Sequence, residues 1–303
     1  MPSFTNTPVI HSVQQPLIKQ ANALQQAKYR REYGLLLCEG LHVIQEALNT
    51  KQVFCDVFVL ESRLENLNQS GDLAQLIQHL AKLNGVNIHR VSEIVMKKIT
   101  TLENNPPLVA TIKTPECGDT HFCAQVSKLS QHPLLLVLAD IQDPGNAGTL
   151  IRSLVAFGGH GIMATQNTVD LYSPKVLRSS AGLIFHLPVY RSDNDLSALL
   201  ATPLKSHFQT LHLIAATGQT ASTKDTHLRS YKHPHWEKPY QEGLALIVGN
   251  EGHGIEALLT QPKETIQWIS IDMAGGVDSL NVSISGSIIL AEIAAARKLS
   301  GTS

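Results

Sequence analysis

The first 113 residues alternate between short apolar runs and stretches in which apolar residues recur at helical spacing. Apolar runs of strand length predict strands, and spacings of three and four residues predict helices. The predicted strands are Leu35–Leu37, Val53–Leu60, Val86–Val91 and Val109–Ile112, and the predicted helices begin at Pro16, Leu41 and Leu73. This alternation is typical of an α/β unit in which helices pack against a sheet.

A change of composition separates this unit from the rest of the chain. Residues 114–133 lack a clear period and contain Pro, Gly and Ser, so we interpret them as a linker. Residues 1–15 are polar and are expected to form a flexible N-terminus. The predicted domains are therefore a smaller α/β domain over 16–113 and a second domain over 134–303.

The second domain shows a clearer strand–helix alternation. Leu134 begins a fully apolar strand, the turn DPGNAG follows, and the next predicted helix ends at two glycines. Further strands are predicted near 161–165, 186–190, 211–217, 244–248 and 267–271, and a final helix over 280–298. Residues 218–242 form a long polar insertion of the kind that is either functional or disordered.

Composition narrows the class of protein. Hydrophobic residues make up 43% and charged residues 16% of the chain, which is typical of a soluble globular protein. The net charge of −1 excludes the strongly basic nucleic-acid binders, although not a local basic patch. The 4 cysteines form no C-x-x-C pair, so a zinc ribbon is not expected. Without an apolar membrane span or a secretory signal, the expected location is the cytoplasm.

The first of three glycine-centred turns joins a strand to a helix. It runs from Asp143 to Arg152 and contains Gly145, Asn146 and Gly148. Backbone amides at a helix start attract anions, and a guanidinium one turn later adds to that attraction. An ordinary strand-to-helix turn with a surface arginine fits the same residues, because isolated glycine motifs are weak signals.

The second turn, Gly249–Gly254, places three glycines around the carboxylate of Glu251 after an apolar strand. Glycines let a flat ligand or another backbone approach closely. The turn is neither a P-loop, since Gly-Lys-Ser/Thr is absent, nor a dinucleotide fingerprint, since G-x-G-x-x-G is absent. A strained turn with an exposed glutamate remains the alternative.

The third turn follows the strand that ends near Ile271. It contains Met273, Gly275 and the order Ser279-Leu280-Asn281-Val282-Ser283, after which a helix is predicted. Ser279 or Asp278 as an N-cap accounts for part of this segment. Capping does not require the whole order.

Taken in order, the three turns resemble the signature of the SpoU (TrmH) branch of the SPOUT RNA methyltransferases. The matching residues are Asn146, Gly148 and Arg152, then Gly249–Gly254, then Met273, Gly275, Ser279, Leu280, Asn281 and Ser283. Asp278 stands where the family often has glutamate, a minor departure. The segment Leu35–Gly40 and the later Asn105–Ala110 also resemble landmarks of the small α/β RNA-binding domain that precedes the catalytic domain in many members.

The resemblance implies a parallel sheet with a deep trefoil knot, a homodimer and an S-adenosylmethionine site made of the knot loops. Gly249, Ile271 and Leu280 match cofactor-contacting positions of relatives. Arg152 matches the catalytic arginine, with Asn146 expected to orient it. Glu251 is expected to hold Asn146, Arg152 or the substrate ribose, and Ser279 and Asn281 to bind substrate or loop backbone. No metal is implied, and His233-Pro-His235 is interpreted as a solvated loop.

The implied activity is methylation of a ribose 2′-hydroxyl in structured RNA, with 23S-type ribosomal RNA and guanosine favoured over transfer RNA. Affinity for RNA comes mainly from phosphate contacts. We therefore interpret four cations as a candidate RNA patch, although a solvated helix face explains them equally well: Lys19, Lys28, Arg30 and Arg31. Lys175 and Arg178 are further candidates. A noncatalytic RNA-binding or ribosome-assembly factor is the alternative, while the missing dinucleotide fingerprint argues against an oxidoreductase.

Overall fold

The computed structural model describes residues 7–64, 71–115, 118–193, 196–201, 211–216, 228–230, 242–249, 255, 266–273 and 279–299. The chain divides into two units. The N-terminal unit comprises Met1–Pro115 and Asp170–Phe185, and the C-terminal unit comprises Glu116–Val169 and His186–Ser303. The segment Asp170–Phe185 thus belongs to the N-terminal unit, although it follows a strand of the C-terminal unit along the chain.

Four apolar strands form the sheet that the structure describes in the N-terminal unit, in the order β1-β4-β2-β3. They are β1 (Leu35–Glu39), β2 (Phe54–Leu60), β3 (Asn87–Val91) and β4 (Leu108–Lys113). Strand β4 pairs antiparallel with β1 and β2, and β2 pairs parallel with β3. Each strand overlaps a predicted one, so the prediction of an α/β unit is confirmed.

Seven helices of the N-terminal unit accompany this sheet within the described residues, and all except α2 and α4 bury apolar residues. They are α1 (Pro16–Ala23), α2 (Ala27–Tyr33), α3 (Leu41–Asn49), α4 (Glu61–Leu64), α5 (Gly71–Ala81), α6 (Glu93–Ile99) and, from the returning segment, α9 (Pro174–Ser179). The stretch from Pro16 forms two helices because Gln26 takes extended backbone (φ −102°, ψ 136°) between them. Gly34 then ends α2 in the left-handed region, at φ 62°.

The prediction of a flexible N-terminus over 1–15 is wrong for its described part. Ile10 forms a parallel bridge with Val91 at the end of β3. Its N–H donates to the carbonyl of Arg90 over 2.8 Å, and its own carbonyl accepts from Ser92 over 3.1 Å. Because this pairing extends the sheet edge, residues around Ile10 are held in place.

Parallel strands form the larger sheet of the C-terminal unit. Within the described residues its order is β7-β6-β5-β10-β8-β11-β9, and every neighbouring pair is parallel. The strands are β5 (Leu134–Ala139), β6 (Gly161–Ala164), β7 (Val189–Arg191), β8 (Leu211–Ala216), β9 (Leu228–Ser230), β10 (Gly243–Gly249) and β11 (Ile266–Ser270). Strand β5, in the interior of the sheet, is buried throughout, as expected for a sheet covered on both faces.

The C-terminal unit also contains α7 (Asp119–Leu129), α8 (Pro144–Ala156), α10 (Leu196–Ala201) and α11 (Val282–Leu299). The prediction of a structureless linker over 114–133 is therefore wrong in its middle. Phe122 and Val126 of α7 lie in the same buried cluster as Leu135 and Met163 of the sheet. This helix was missed because its few apolar residues are separated by polar ones, which weakens the helical pattern.

Two other predictions for the C-terminal unit need comment. The strand predicted over 186–190 is replaced by a 3₁₀ turn over Leu183–His186 and the shorter strand β7, separated by Pro188, which has no N–H to donate to a ladder. The knot implied by the family concerns chain around residues 249–281, most of which lies outside the described residues. Among the described helices, none has the length and apolarity that crossing a membrane requires.

Candidate active site

The first glycine-centred turn is a capped helix start. Strand β5 ends at Ala139, and helix α8 begins five residues later at Pro144. The carboxylate Oδ1 of Asp143 accepts the backbone N–H of Asn146 over 2.8 Å, and Pro144 occupies the first helical position. Aspartate at the cap and proline at the first position both favour a helix start. This arrangement fixes Asn146 in the first turn of α8.

The third turn brings Asn281 to Asn146. Asn281 lies immediately before α11, and its side-chain Nδ2 donates to Oδ1 of Asn146 over 3.0 Å. The Oδ1 of Asn281 accepts both the backbone N–H and the hydroxyl of Ser283, over 2.9 and 2.6 Å. The first and third family motifs therefore meet through direct side-chain contact.

The direction of this contact follows from the donor and acceptor inventory. A backbone N–H can only donate, so the atom of Asn281 that faces Ser283 must be its oxygen. The amide nitrogen of Asn281 is then the donor toward Asn146, which presents its own oxygen in return. Within the part of the chain that the structure describes, the amide nitrogen of Asn146 therefore has its N–H donors available for another acceptor.

Close packing of α8 against α11 maintains this geometry. A Cβ on Gly286 of α11 would lie 2.4 Å from Cδ2 of Leu150 on α8, so only glycine fits there without movement. One turn along, the hydroxyls of Ser153 and Ser287 are 2.7 Å apart. The two helices that carry Asn146 and Asn281 thus contact each other at a fixed approach.

Arg152 lies on the exposed surface of α8. Six residues separate it from Asn146, which corresponds to about 240° around an α-helix. Within the described residues, the side chain of Asn146 hydrogen-bonds to Asn281 and not to Arg152. The role of Asn146 in orienting Arg152 therefore stays a prediction, and the exposed side chain of Arg152 is accessible to an anion.

The residues expected to contact the cofactor lie at or beyond the carboxyl ends of β10 and β11, where open parallel sheets bind ligands. Gly249 is the last residue of β10, and a Cβ there would lie 2.5 Å from Cγ1 of Ile255. Ile271 directly follows β11, while Leu280 is half-buried just before α11. Beside Ile271, the Oγ of Ser270 is buried without a hydrogen-bond partner among the described residues. This set of backbone groups and one unsatisfied hydroxyl fits a polar organic cofactor.

Ser279 is exposed two residues before Asn281. Glu251, together with His233, His235 and His253, lies outside the described residues, so their predicted roles stay predictions. Among the described residues, His, Cys, Asp and Glu form no group of three that could hold a metal ion.

The candidate RNA patch loses one member. Arg30 is 5% exposed, because its Nη2 and Nε donate to Oδ2 of Asp170 over 2.5 and 3.1 Å. Its Nη1 also donates to the carbonyl of Leu24 over 2.6 Å. The prediction that Arg30 binds RNA is therefore wrong, since its guanidinium is committed within the N-terminal unit. Lys19, Lys28 and Arg31 are exposed.

Arg178 is likewise committed within the N-terminal unit. Its guanidinium forms an ion pair with Glu39, which is 1% exposed. Glu39 also accepts the backbone N–H of Thr101 over 2.6 Å and its hydroxyl over 2.8 Å. This network explains why the apolar strand β1 ends in a carboxylate. It also removes Arg178 from the candidate RNA-binding residues, because its guanidinium is already paired. Lys175 remains exposed.

His160 is a structural residue. Its Nδ1 accepts the backbone N–H of Leu134 over 3.0 Å, at the start of β5. Burial, with a smaller contribution from the positive charge of Arg297, lowers the pKa of His160 below the usual 6.5. These contacts satisfy His160 within the fold of the C-terminal unit.

Sequence reasoning missed Asp140 at the carboxyl end of β5. Its backbone has φ 56°, a region that few residues other than glycine adopt. Its Oδ1 accepts the hydroxyl of Thr165 over 2.6 Å, and its Oδ2 accepts Nδ2 of Asn167 over 3.1 Å. An aspartate directly after a buried strand was the available signal, because Asp tolerates this conformation and supplies local hydrogen bonds.

The chain combines a smaller α/β unit with a larger unit whose parallel sheet has polar turns at its carboxyl edge. This combination defines the structural class of the protein. The family model of the SpoU rRNA methylase family matches residues 133–291, and that of the MRM3-like substrate binding domain matches residues 15–110. The chain belongs to the SpoU rRNA methylase family. It is therefore an RNA methyltransferase of that family.

Individual relatives agree with this membership. An uncharacterized tRNA/rRNA methyltransferase of Synechocystis sp. is 32% identical over 93% of this chain and 92% of its own. The 23S rRNA (guanosine(2553)-2′-O)-methyltransferase RlmP of Bacillus subtilis is 28% identical over 93% of this chain and 97% of its own. The AdoMet-bound rRNA methyltransferase of Sinorhizobium meliloti has the same fold, with a TM-score of 0.70 and 23% identity over 96% of this chain and 98% of that one.

Proposed function

We propose that this protein transfers the methyl group of S-adenosylmethionine to a ribose 2′-hydroxyl in structured ribosomal RNA, with guanosine as the favoured nucleoside. The observation that carries the proposal is the hydrogen bond of Asn281 to Asn146, which joins two motifs that are far apart in the sequence. A capped helix start and a fixed contact between α8 and α11 support the same site. The name of the Bacillus relative motivates the choice of ribosomal RNA and guanosine.

The cofactor is expected to lie against Gly249, Ile271 and Leu280. When bound, S-adenosylmethionine supplies a methyl carbon that is electrophilic because it is attached to a sulfonium. The chain's contribution is to hold the target ribose so that the 2′-oxygen faces that carbon. The unsatisfied hydroxyl of Ser270 supplies one more polar group beside Ile271.

Arg152 holds the phosphate next to the target ribose. A guanidinium does not lose its proton in proteins, so Arg152 is a poor general base. Its fixed charge instead favours the oxyanion character that develops on the 2′-oxygen, and the hydroxyl proton leaves to phosphate or water. The N–H donors of Asn146, which have no partner among the described residues, suit an oxygen of the ribose or the phosphate, rather than the arginine.

The N-terminal unit holds the RNA in this proposal, through phosphate contacts with Lys19, Lys28 and Arg31. The deep knot and a homodimer through the C-terminal unit, both implied by the family, belong to the same proposal. A second candidate is a noncatalytic RNA-binding or assembly factor. The presence of all four polar residues argues against it, because a protein without catalytic activity would tolerate substitutions at these positions: Asn146, Arg152, Ser279 and Asn281.

The test uses purified protein and S-adenosylmethionine that carries a labelled methyl group. Unmodified ribosomal RNA and transfer RNA are offered separately, and the labelled nucleoside is identified after digestion. A 2′-O-methylguanosine from ribosomal RNA is the expected product. Label in transfer RNA would mean that transfer RNA, and not ribosomal RNA, is the substrate. Label on a base would overturn the assignment of the ribose as the methylated group. Saturable cofactor binding without label in either RNA or in precursor ribosomal particles would favour the noncatalytic factor.

A further inference from the structure

Helix α2 of the N-terminal unit carries a stacked aromatic pair. Tyr29 and Tyr33 stand four residues apart, so they occupy the same side of the helix, one turn from each other. Their ring centroids are 5.8 Å apart with planes inclined by 26°. The side chain of Tyr33 is 38% exposed, which is unusual for a large aromatic residue that serves only the core.

Cations accompany the aromatic pair. The Nζ of Lys28 lies 5.6 Å from the centroid of the Tyr29 ring, a distance typical of a cation–π contact. Arg31 is exposed on the same helix, and Glu32 is its one exposed acid. Two exposed cations against one acid give α2 a small positive excess, so the aromatic surface is what distinguishes this helix from an ordinary charged one.

The pair stands on a rigid base. Between the two tyrosines, Arg30 points into the N-terminal unit, where it is paired with Asp170 and bonded to the carbonyl of Leu24. Gly34 ends the helix directly after Tyr33 and leads into β1. Because the backbone of α2 is held at both places, Tyr33 is exposed to solvent at a defined position. Little backbone conformational entropy would then be lost when a ligand binds to it.

We propose that Tyr33, supported by Tyr29 and with Lys28 at the Tyr29 ring, is a stacking platform for an unpaired base of the RNA. Every nucleobase has a π-face, but a base inside a duplex has no face free for a protein ring. The occupant is therefore a nucleotide in a loop, bulge or single strand, with a phosphate near Lys28. This assignment rests on the proposed function in that it presumes an RNA substrate.

The test measures binding of two fluorescently labelled RNAs to the full-length protein by anisotropy. One is a 12-nucleotide single strand of adenylate, and the other is a 12-base-pair duplex. Alanine replacement of a stacking aromatic typically lowers single-strand affinity about 5- to 100-fold. We expect Tyr33→Ala to weaken single-strand binding by about tenfold and duplex binding by less than twofold, and Tyr33→Phe to retain both.

Control variants separate stacking from charge and from folding. Lys28→Ala should weaken both RNAs and reduce the salt slope by about one, as loss of a phosphate contact does. Leu83→Ala removes an apolar side chain of the same unit with similar exposure, 37%, and should change neither affinity. Equal losses for both RNAs with Tyr33→Ala, or full retention by Tyr33→Leu, would overturn the platform, since neither outcome needs a ring.

The two proposals fail separately. Cofactor binding and methyl transfer are measured on the same variants, with the RNA that accepts label from the wild-type protein. If the wild type transfers methyl and Tyr33→Ala leaves the KM for RNA unchanged, the platform is wrong and the proposed function stands. If the wild type never transfers methyl while Tyr33→Ala selectively loses single-strand binding, the stacking platform is supported and the proposed methyltransferase activity is wrong.

Discussion

Asn281 donates a hydrogen bond from its side-chain Nδ2 to Oδ1 of Asn146 over 3.0 Å, across 135 positions of the sequence. The bond has a fixed direction, because Ser283 donates two hydrogen bonds to the oxygen of Asn281 and leaves only the nitrogen to face Asn146. The hydrogen bonds at the start of α11 thereby determine which atom of Asn146, in the first turn of α8, acts as an acceptor. Asn146 thus offers its side-chain N–H groups as donors, without a partner among the described residues, in the same motif as Arg152.

This polarity predicts different effects for two substitutions of equal size. Asn146→Asp keeps an acceptor for Asn281 but removes both N–H donors and adds a negative charge near the substrate phosphate. We expect kcat to fall by about 10²-fold or more, as for loss of a preorganised donor in other enzymes. The free energy of unfolding should change by less than about 0.5 kcal/mol, because Asn146 and Asn281 meet at the surface. Single-turnover methyl transfer and urea unfolding measure the two effects.

Asn281→Asp is the matched variant. It removes the donor toward Asn146 but keeps the acceptor for Ser283, so two oxygens would face each other unless the Asn146 amide rotates. Because the two residues share this hydrogen bond, the effects of Asn146→Asp and Asn281→Asp on turnover should be non-additive when both are combined in one chain. An Asn146→Asp variant with wild-type turnover would contradict the role of Asn146 as a donor.

Arg152 is predicted to act through its fixed charge and fork geometry. Arg152→Ala should lower kcat by about 10²- to 10³-fold, because it removes an electrostatic partner of the transition state. Arg152→Lys keeps the charge without the bidentate geometry, so an intermediate rate is expected. Cofactor binding, measured by calorimetry, should be unchanged in both variants. Rates of the alanine variant within threefold of wild type would remove Arg152 from the reaction.

The sequence predicted most of the sheet strands, because a fully buried strand such as β5 must consist of apolar residues, but it missed β9 inside the polar insertion. It predicted α7 poorly, since the buried hydrophobic residues of this helix are few, namely Phe122, Cys123 and Val126. The return of Asp170–Phe185 to the N-terminal unit was also missed. Its anchors are pairings of charged residues distant in sequence, which no local period encodes.

The site shows the same division. The motifs located the helix starts and the position of Arg152, because backbone requirements for glycine and helix caps are local. Contacts between motifs, such as that of Asn146 with Asn281, depend on how α8 packs against α11. Arg30 illustrates the converse error: it was interpreted as a surface cation, but Asp170, 140 positions away, allows it to be buried.

Gly286 is predicted to set the approach of α11 to α8. Gly286→Val should destabilise the protein by about 1–3 kcal/mol, because overpacking forces neighbouring side chains to shift. Leu150, whose Cδ2 would lie 2.4 Å from the added Cβ, is fully buried and has little room to move. The midpoint and slope of urea unfolding give the change in the free energy of unfolding.

Two further variants test the Gly286 prediction. Gly71→Ala is the control, since an added Cβ at Gly71 meets nothing within 4 Å. Leu150→Ala creates space beside Gly286, so the double variant with Gly286→Val should be more stable than the sum of the two single losses. Strict additivity would mean that the valine is accommodated without displacing Leu150.

His160 is predicted to make the stability of the protein fall as the solution becomes acidic. Its folded-state pKa is lowered, first by burial and then by the charge of Arg297, so the unfolded chain binds a proton more readily. Above the unfolded value of about 6.5 both states are neutral at this group, and below it the unfolded state gains protons first. The free energy of unfolding should therefore decrease between about pH 7 and pH 5.

His160→Asn retains an acceptor for the backbone N–H of Leu134 but does not titrate, and its stability should fall less over the same interval. Urea unfolding of both proteins at three pH values isolates this histidine, because every other titrating group is common to the two. Identical pH dependence would show that His160 binds its proton equally in the folded and unfolded states.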